Sequence, residues 1–231
     1  MRRTVFVVLA VLLGTAFGQW LETTLYLPDS FGGVNRPQCL VYNSTNNTIY
    51  VGGQYGDCVI AIDGATNQKI ARIPTGANGA PLCYNPTDNK VYCANWKSKN
   101  VTVIDGATNE VIATVAAGSL PGALCYNAQN NKVYSANYGS DNVTVIDGAT
   151  NGHIATVTAG DGPRDLCYNP TDNKVYCANW KSKNVTVIDG ATNEVIATVA
   201  AGYWPNALCY NPTDNKVYCA NGNSGNVTVI D

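Results

Sequence analysis

Lys90-Val91-Tyr92-Cys93-Ala94-Asn95, then Asn100-Val101-Thr102-Val103-Ile104-Asp105, then Val111-Ile112-Ala113-Thr114-Val115: three short runs rich in Val, Ile, Thr and Tyr, separated by Asx, Gly and Lys. Each run is strand-length and made of residues that suit a pleated, packed surface. The phrase then returns. Asp63, Asp105, Asp147, Asp189 and Asp231 stand 42 residues apart without a slip. A fixed period of this length, filled with strand signals, marks an array of one small β unit.

Each unit reads as four strands. In the second unit, Ala80 to Tyr84 leads into Asn85-Pro86-Thr87-Asp88-Asn89, a turn sequence by its proline and Asx residues. Strands over 90–94, 101–104 and 111–115 follow. The turn Asp105-Gly106-Ala107-Thr108-Asn109 is expected to be capped by the Asp side chain, with Gly106 supplying positive φ. The strands are apolar on both faces, whereas a lone antiparallel sheet with one wet face would alternate. Sheets covered on both sides by their own copies answer this, so an all-β propeller of four-stranded blades is expected. A solenoid carries fewer strands per repeat and needs distinct caps.

The first 18 residues are of another kind. Arg2 and Arg3 precede an apolar run from Val5 to Leu13, then Ala16-Phe17-Gly18, the pattern of a secretory signal peptide cleaved after Gly18. Residues 1–18 are thus expected to be a leader and 19–231 the propeller, a secreted or cell-surface protein with no membrane span after cleavage. Thr23 to Leu27 resembles a fourth strand. The last unit reads only as far as its third, so this segment is expected to complete the last blade and close a five-bladed ring. The alternative is a fragment of a larger propeller.

Composition excludes some partners. The formal net charge is −2, or −4 without Arg2 and Arg3, and the only basic clusters are the pairs Lys97/Lys99 and Lys181/Lys183. A nucleic-acid surface needs a basic stripe. Seven of the nine cysteines lie on the repeat grid. In an exported chain, Cys83–Cys93, Cys167–Cys177 and Cys209–Cys219 could bridge neighbouring strands. The competing reading is that they are small apolar core residues. No Cys or His pair has metal-ligand spacing, and no cofactor motif is present.

The units resemble the YVTN-type β-propeller repeat of surface-layer and other exported proteins. The likeness rests on Lys90 to Asn95, Asn100 to Asp105, and Val111 to Val115 leading to Gly118 and Pro121. The family's Tyr-Val-Thr-Asn reads Tyr92-Cys93-Ala94-Asn95 here and Tyr50-Val51-Gly52-Gly53 in the first unit. The resemblance implies an exported propeller and brings no catalytic residues with it.

Function has to be sought where the units differ. Residues 82–118 and 166–202 are identical, which records a recent copying event. Variation gathers in the loops after the second and fourth strands, which in a propeller share one face. Tyr55, Trp96, Tyr138, Trp180, Tyr203 and Trp204 lie there beside Asn, Asp and Lys, the composition of a site for a glycan or a protein. The competing reading is that these rings cover backbone between blades. A non-catalytic binding scaffold is therefore expected. The alternative is a sugar- or lactone-directed hydrolase or lyase using Asp57, Asp141, Asp161 and Asp165 near the axis. His153, the only histidine, replaces Val111 and Val195 at the start of an outer strand and reads as solvent-facing.

Overall fold

The computed structural model describes residues 21–27 and 33–231, so the expected leader, 1–18, lies outside the described residues. Five antiparallel sheets follow one another along the chain. The first comprises β1 (Pro37–Asn43), β2 (Thr48–Gly53), β3 (Cys58–Asp63) and β4 (Lys69–Pro74). The second comprises β5 (Gly79–Asn85), β6 (Lys90–Asn95), β7 (Asn100–Asp105) and β8 (Val111–Ala116). The third is β9 (Pro121–Asn127), β10 (Lys132–Asn137), β11 (Asn142–Asp147) and β12 (His153–Thr158). The fourth is β13 (Pro163–Asn169), β14 (Lys174–Asn179), β15 (Asn184–Asp189) and β16 (Val195–Ala200). The fifth has three strands, β17 (Pro205–Asn211), β18 (Lys216–Asn221) and β19 (Asn226–Ile230).

These sheets are propeller-like blades. Their first strands meet in succession, β1 on β5, β5 on β9, β9 on β13 and β13 on β17, and so stand innermost. The middle strands are buried on both faces, as the two-sided apolar pattern requires: in β7 every residue from Val101 to Ile104 is buried. One face of the second blade, with Cys83, Tyr92, Ala94, Val101 and Val103, packs on Val133 and Ile146 of the third. The fourth strands are more exposed, as outer edges should be.

Polar residues join the blades as well. Asn85 accepts the Thr87 and Asp88 amides at its own turn and donates to Asn131 of the next blade at 2.9 Å. The Lys90 ammonium donates to the carbonyls of Gly148 and Ala149 and to Asn151 Oδ1, while the Tyr92 hydroxyl donates to the Gly148 carbonyl. The Asp-Gly turns of the second, third and fourth blades are each held in this way by the preceding blade. These amides and hydroxyls are buried, so they need such partners to offset lost hydration.

Three expectations require correction. First, residues 21–27 form no strand and do not complete the fifth sheet. Lys69 of β4 donates to the Tyr26 carbonyl, and Leu27 packs with Val34 onto Val51, Cys58, Ile60 and Ile62, the back of the first blade. That apolar face has no preceding blade to cover it, and the nearest apolar chain does so instead. Second, the nine cysteines are free thiols. Cys93 lies opposite Leu82, and Cys83 opposite Tyr92. The one-residue offset puts the two sulfurs on opposite faces of the blade, Cys83 against the third and Cys93 against the first. The same offset separates Cys167 from Cys177 and Cys209 from Cys219. Third, Gly106 is not at positive φ; Asn109 takes that conformation, at 61°. Glycine is needed at 106 because a Cβ would lie 2.4 Å from Asn89 Oδ1 and 2.6 Å from Asn43 Nδ2.

Both ends of the array keep apolar surface exposed. Val227 and Val229 of the fifth blade are 57% and 52% exposed, although their counterparts Val101 and Val103 are fully buried. At the other end Leu40 and Tyr42 remain open beyond the cover of Leu27. Among the described residues no helix is long and apolar enough to cross a membrane.

Candidate functional site

Two loops per blade build one face, and a repeated backbone bond fixes their relation. Just before each first strand stands a residue at positive φ: Arg36, Asn78, Leu120, Gly162 and Trp204. Its carbonyl accepts the amide that opens the loop after the second strand. The pairs are Arg36 with Gln54, Asn78 with Trp96, Leu120 with Tyr138, Gly162 with Trp180, and Trp204 with Gly222. Bulky residues rarely hold this conformation. At Leu120 and Trp204 the strain is of order 1–3 kcal/mol and is held by the flanking strands. Buried Asn95 braces the loop from below, donating to Asn100 at 2.7 Å and Thr102 at 2.8 Å.

This clamp sets four aromatic rings in a row over the blades. Trp96 stacks on Tyr138 with centroids 5.9 Å apart, Tyr138 lies 6.2 Å from Trp180, and Trp180 stacks on Trp204 at 5.0 Å. Tyr55 and Tyr203 stay outside the row, each under a cation: Arg36 lies 5.1 Å from the Tyr55 ring and Lys183 lies 3.8 Å from the Tyr203 ring. Lys181 sits 4.5 Å over Tyr138. Trp96 also covers backbone, since a Cβ at Gly122 would lie 2.9 Å from its ring. The structure thus unites four of the six aromatic residues expected at a site, and places the other two on the same face.

Two hollows open beside the row. One of about 630 Å³ is lined by residues including Gln38, Gln54, Tyr55, Asn78, Trp96 and Arg164. The other, of about 280 Å³, is lined by Tyr138, Arg164, Trp180 and Asn206. Arg164 belongs to both. It sits in β13 at the second residue, a position held by Gln38, Ala80, Gly122 and Asn206 in the other blades. The sequence shows Arg164 among the variable segments between blades but assigns it no role, because a lone charge near a strand start carries no pattern. Comparison of the copied blocks could have found it, since Ala80-Pro81 precedes one copy and Arg164-Asp165 the other.

The four carboxylates do not come together. Asp57 is exposed and pairs with Arg72 at 2.7 Å. Asp141 accepts the Gly162 amide, and Asp161 is exposed. Only Asp165 lines an axial cavity, of about 320 Å³, and its Oδ2 accepts the Leu208 amide at 2.7 Å. Burial raises its pKa, partly opposed by the Leu208 and Leu166 amides and by the Arg164 charge. His153 is exposed and bonds only Thr156, as expected for its outer strand. Asp63, Asp105, Asp147 and Asp189 of the periodic set are turn caps: Asp105 Oδ1, for one, accepts the Ala107 and Thr108 amides.

No family model matches this sequence, and no curated protein matches it. Solved structures do resemble it. Hydrazine synthase of Kuenenia stuttgartiensis superposes with a TM-score of 0.75 at 19% identity, over 92% of this chain and 66% of that one. A functionally unknown protein from Desulfotomaculum acetoxidans gives 0.71 at 13% identity, over 86% of this chain and 70% of the other. The chain therefore spans about two thirds of the length of each. At such identities the likeness bears on fold alone.

Proposed function

We propose that this chain is a non-catalytic binding scaffold, secreted or held at a cell surface, which takes a glycan on its aromatic loop face. The observation that carries this reading is the stacked row from Trp96 to Trp204 beside two polar-walled hollows. Indole and phenol rings pack on the C–H faces of sugars, while the amides of Gln38, Gln54, Asn78 and Asn206 suit hydroxyls. Binding is favoured over hydrolysis because glycoside cleavage ordinarily uses two facing carboxylates, and none of the other three lines the cavity of Asp165. Export is supported by the Arg2-Arg3 and apolar 5–13 pattern and by the likeness to YVTN-type repeats.

The test is retention on immobilised polysaccharides, comparing the wild type with Trp96→Ala/Trp180→Ala. Loss of retention with the melting temperature preserved supports the site. Equal retention by the double variant removes the aromatic face from the account.

For the ring, we infer that further four-stranded units complete it, against the faces carrying Val227 and Val229 and carrying Leu40 and Tyr42. The support is register: the positions of Val227 and Val229 are buried in every blade with a following neighbour, and those of Leu40 and Tyr42 are buried or half-buried in every blade with a preceding one. A dilute monomer whose β19 amides exchange as slowly as those of β7 would refute this and favour five-bladed closure.

A further inference from the structure

Resting on that reading of the site, we propose that the glycan is anionic: a uronic-acid-containing saccharide whose carboxylate is taken by Arg164 between the two hollows. Arg164 is exposed and lines both cavities, so a ligand seated in either one can meet its guanidinium. Lys97 adds a second cation to the larger hollow, and no acidic residue lines either one. The neighbouring Asp165 accepts the Leu208 amide and lines the adjoining cavity, which shares Gln38, Ala80, Pro81 and Gly122 with the larger hollow.

The wider face agrees. Its loops and strand starts carry Arg36, Lys97, Lys99, Arg164, Lys181 and Lys183 against Asp57, Asp141, Asp161 and Asp165, in a chain whose net charge is −2. Asp57 is already neutralised by Arg72. The fold does not need an arginine at 164, since Gln38, Ala80, Gly122 and Asn206 fill the same place in other blades. Arg164 lies two residues before one of two identical blocks, 166–202, whose twin, 82–118, is preceded by Ala80-Pro81. The framework stayed fixed while this position differs.

Guanidinium binds a carboxylate through two parallel N–H···O bonds, which selects a planar anion. A uronate presents that anion at the rim of a pyranose ring whose C–H face can lie on Trp96 or Trp180. A hollow of about 630 Å³ is large enough for a short oligosaccharide.

Calorimetry with the full chain tests this, using oligogalacturonate, its methyl ester and a neutral xylo-oligosaccharide as probes. Wild type should bind the acid on the order of tenfold more tightly than the ester, the worth of one charge-assisted contact. Arg164→Gln should bring that ratio close to one, whereas Arg72→Gln, away from the hollows, should leave it intact. Melting curves confirm that each variant is folded. Acid and ester binding equally to wild type, or a ratio that survives Arg164→Gln, overturns the anionic assignment and leaves the glycan site standing. Failure of all three probes to bind overturns the assignment and counts against the glycan site itself.

Discussion

Asp105 accepts two backbone amides in its turn, and these bonds hold its carboxyl below the usual carboxylate range. Asp63, Asp147 and Asp189 are lowered by the same kind of contact. A carboxylate with a depressed folded pKa stabilises the fold above its unfolded pKa and gives that up as pH falls through the folded value. Thermal stability should therefore hold from pH 7 to about 5 and fall below about pH 4. Asp105→Asn with Asp189→Asn should flatten that fall, as read by melting temperature against pH; an unchanged profile would remove the caps from the acid response. Thiol reactivity is the second test at this scale. Burial pushes Cys83 and Cys93 up to about 12, whereas Cys209 is exposed. Iodoacetamide should label Cys209 first in the native protein and the other two only after unfolding. Bridged Cys83 and Cys93 in the mature protein would contradict the register.

At the scale of the element, the Asp-Gly turn shows why the repeat tolerates so little change. The sequence marks Gly106 as special, and the pattern alone suggested a conformational reason. The reason is a neighbour: Asn89 and Asn43 crowd the Cα, as Asn131 crowds Gly148. Gly106→Ala must displace an inter-blade amide, and an overpacking cost of about 1–3 kcal/mol is expected from denaturant unfolding. Cost-free substitution would mean that this ladder is loose. Strand existence was legible from the alternation of Val, Thr and Tyr with Asx turns. The fate of residues 23–27 was not. Strand-like composition gives a segment an apolar surface to bury, but it does not say which face is uncovered, and the back of the first blade was.

For the whole molecule, burial should decide association. Burying a valine side chain contributes about 1.5–3 kcal/mol, and Val227 and Val229, 57% and 52% exposed, forgo about half of it. Val227→Lys with Val229→Lys should leave the monomer folded and abolish any concentration-dependent rise in mass seen by sedimentation. Persistent association of the double variant would place the contact elsewhere.

The 42-residue period by itself determined the repeat, the four strands, the turn caps and the face on which aromatic residues gather, because all of these are local and recur with the chain. Tertiary structure alone decided that Trp96, Tyr138, Trp180 and Trp204 stack in one row, that Arg164 stands between two hollows, and that the paired cysteines face apart. Those outcomes depend on how one blade sits against the next and on a one-residue register between strands, which spacing along a chain does not encode.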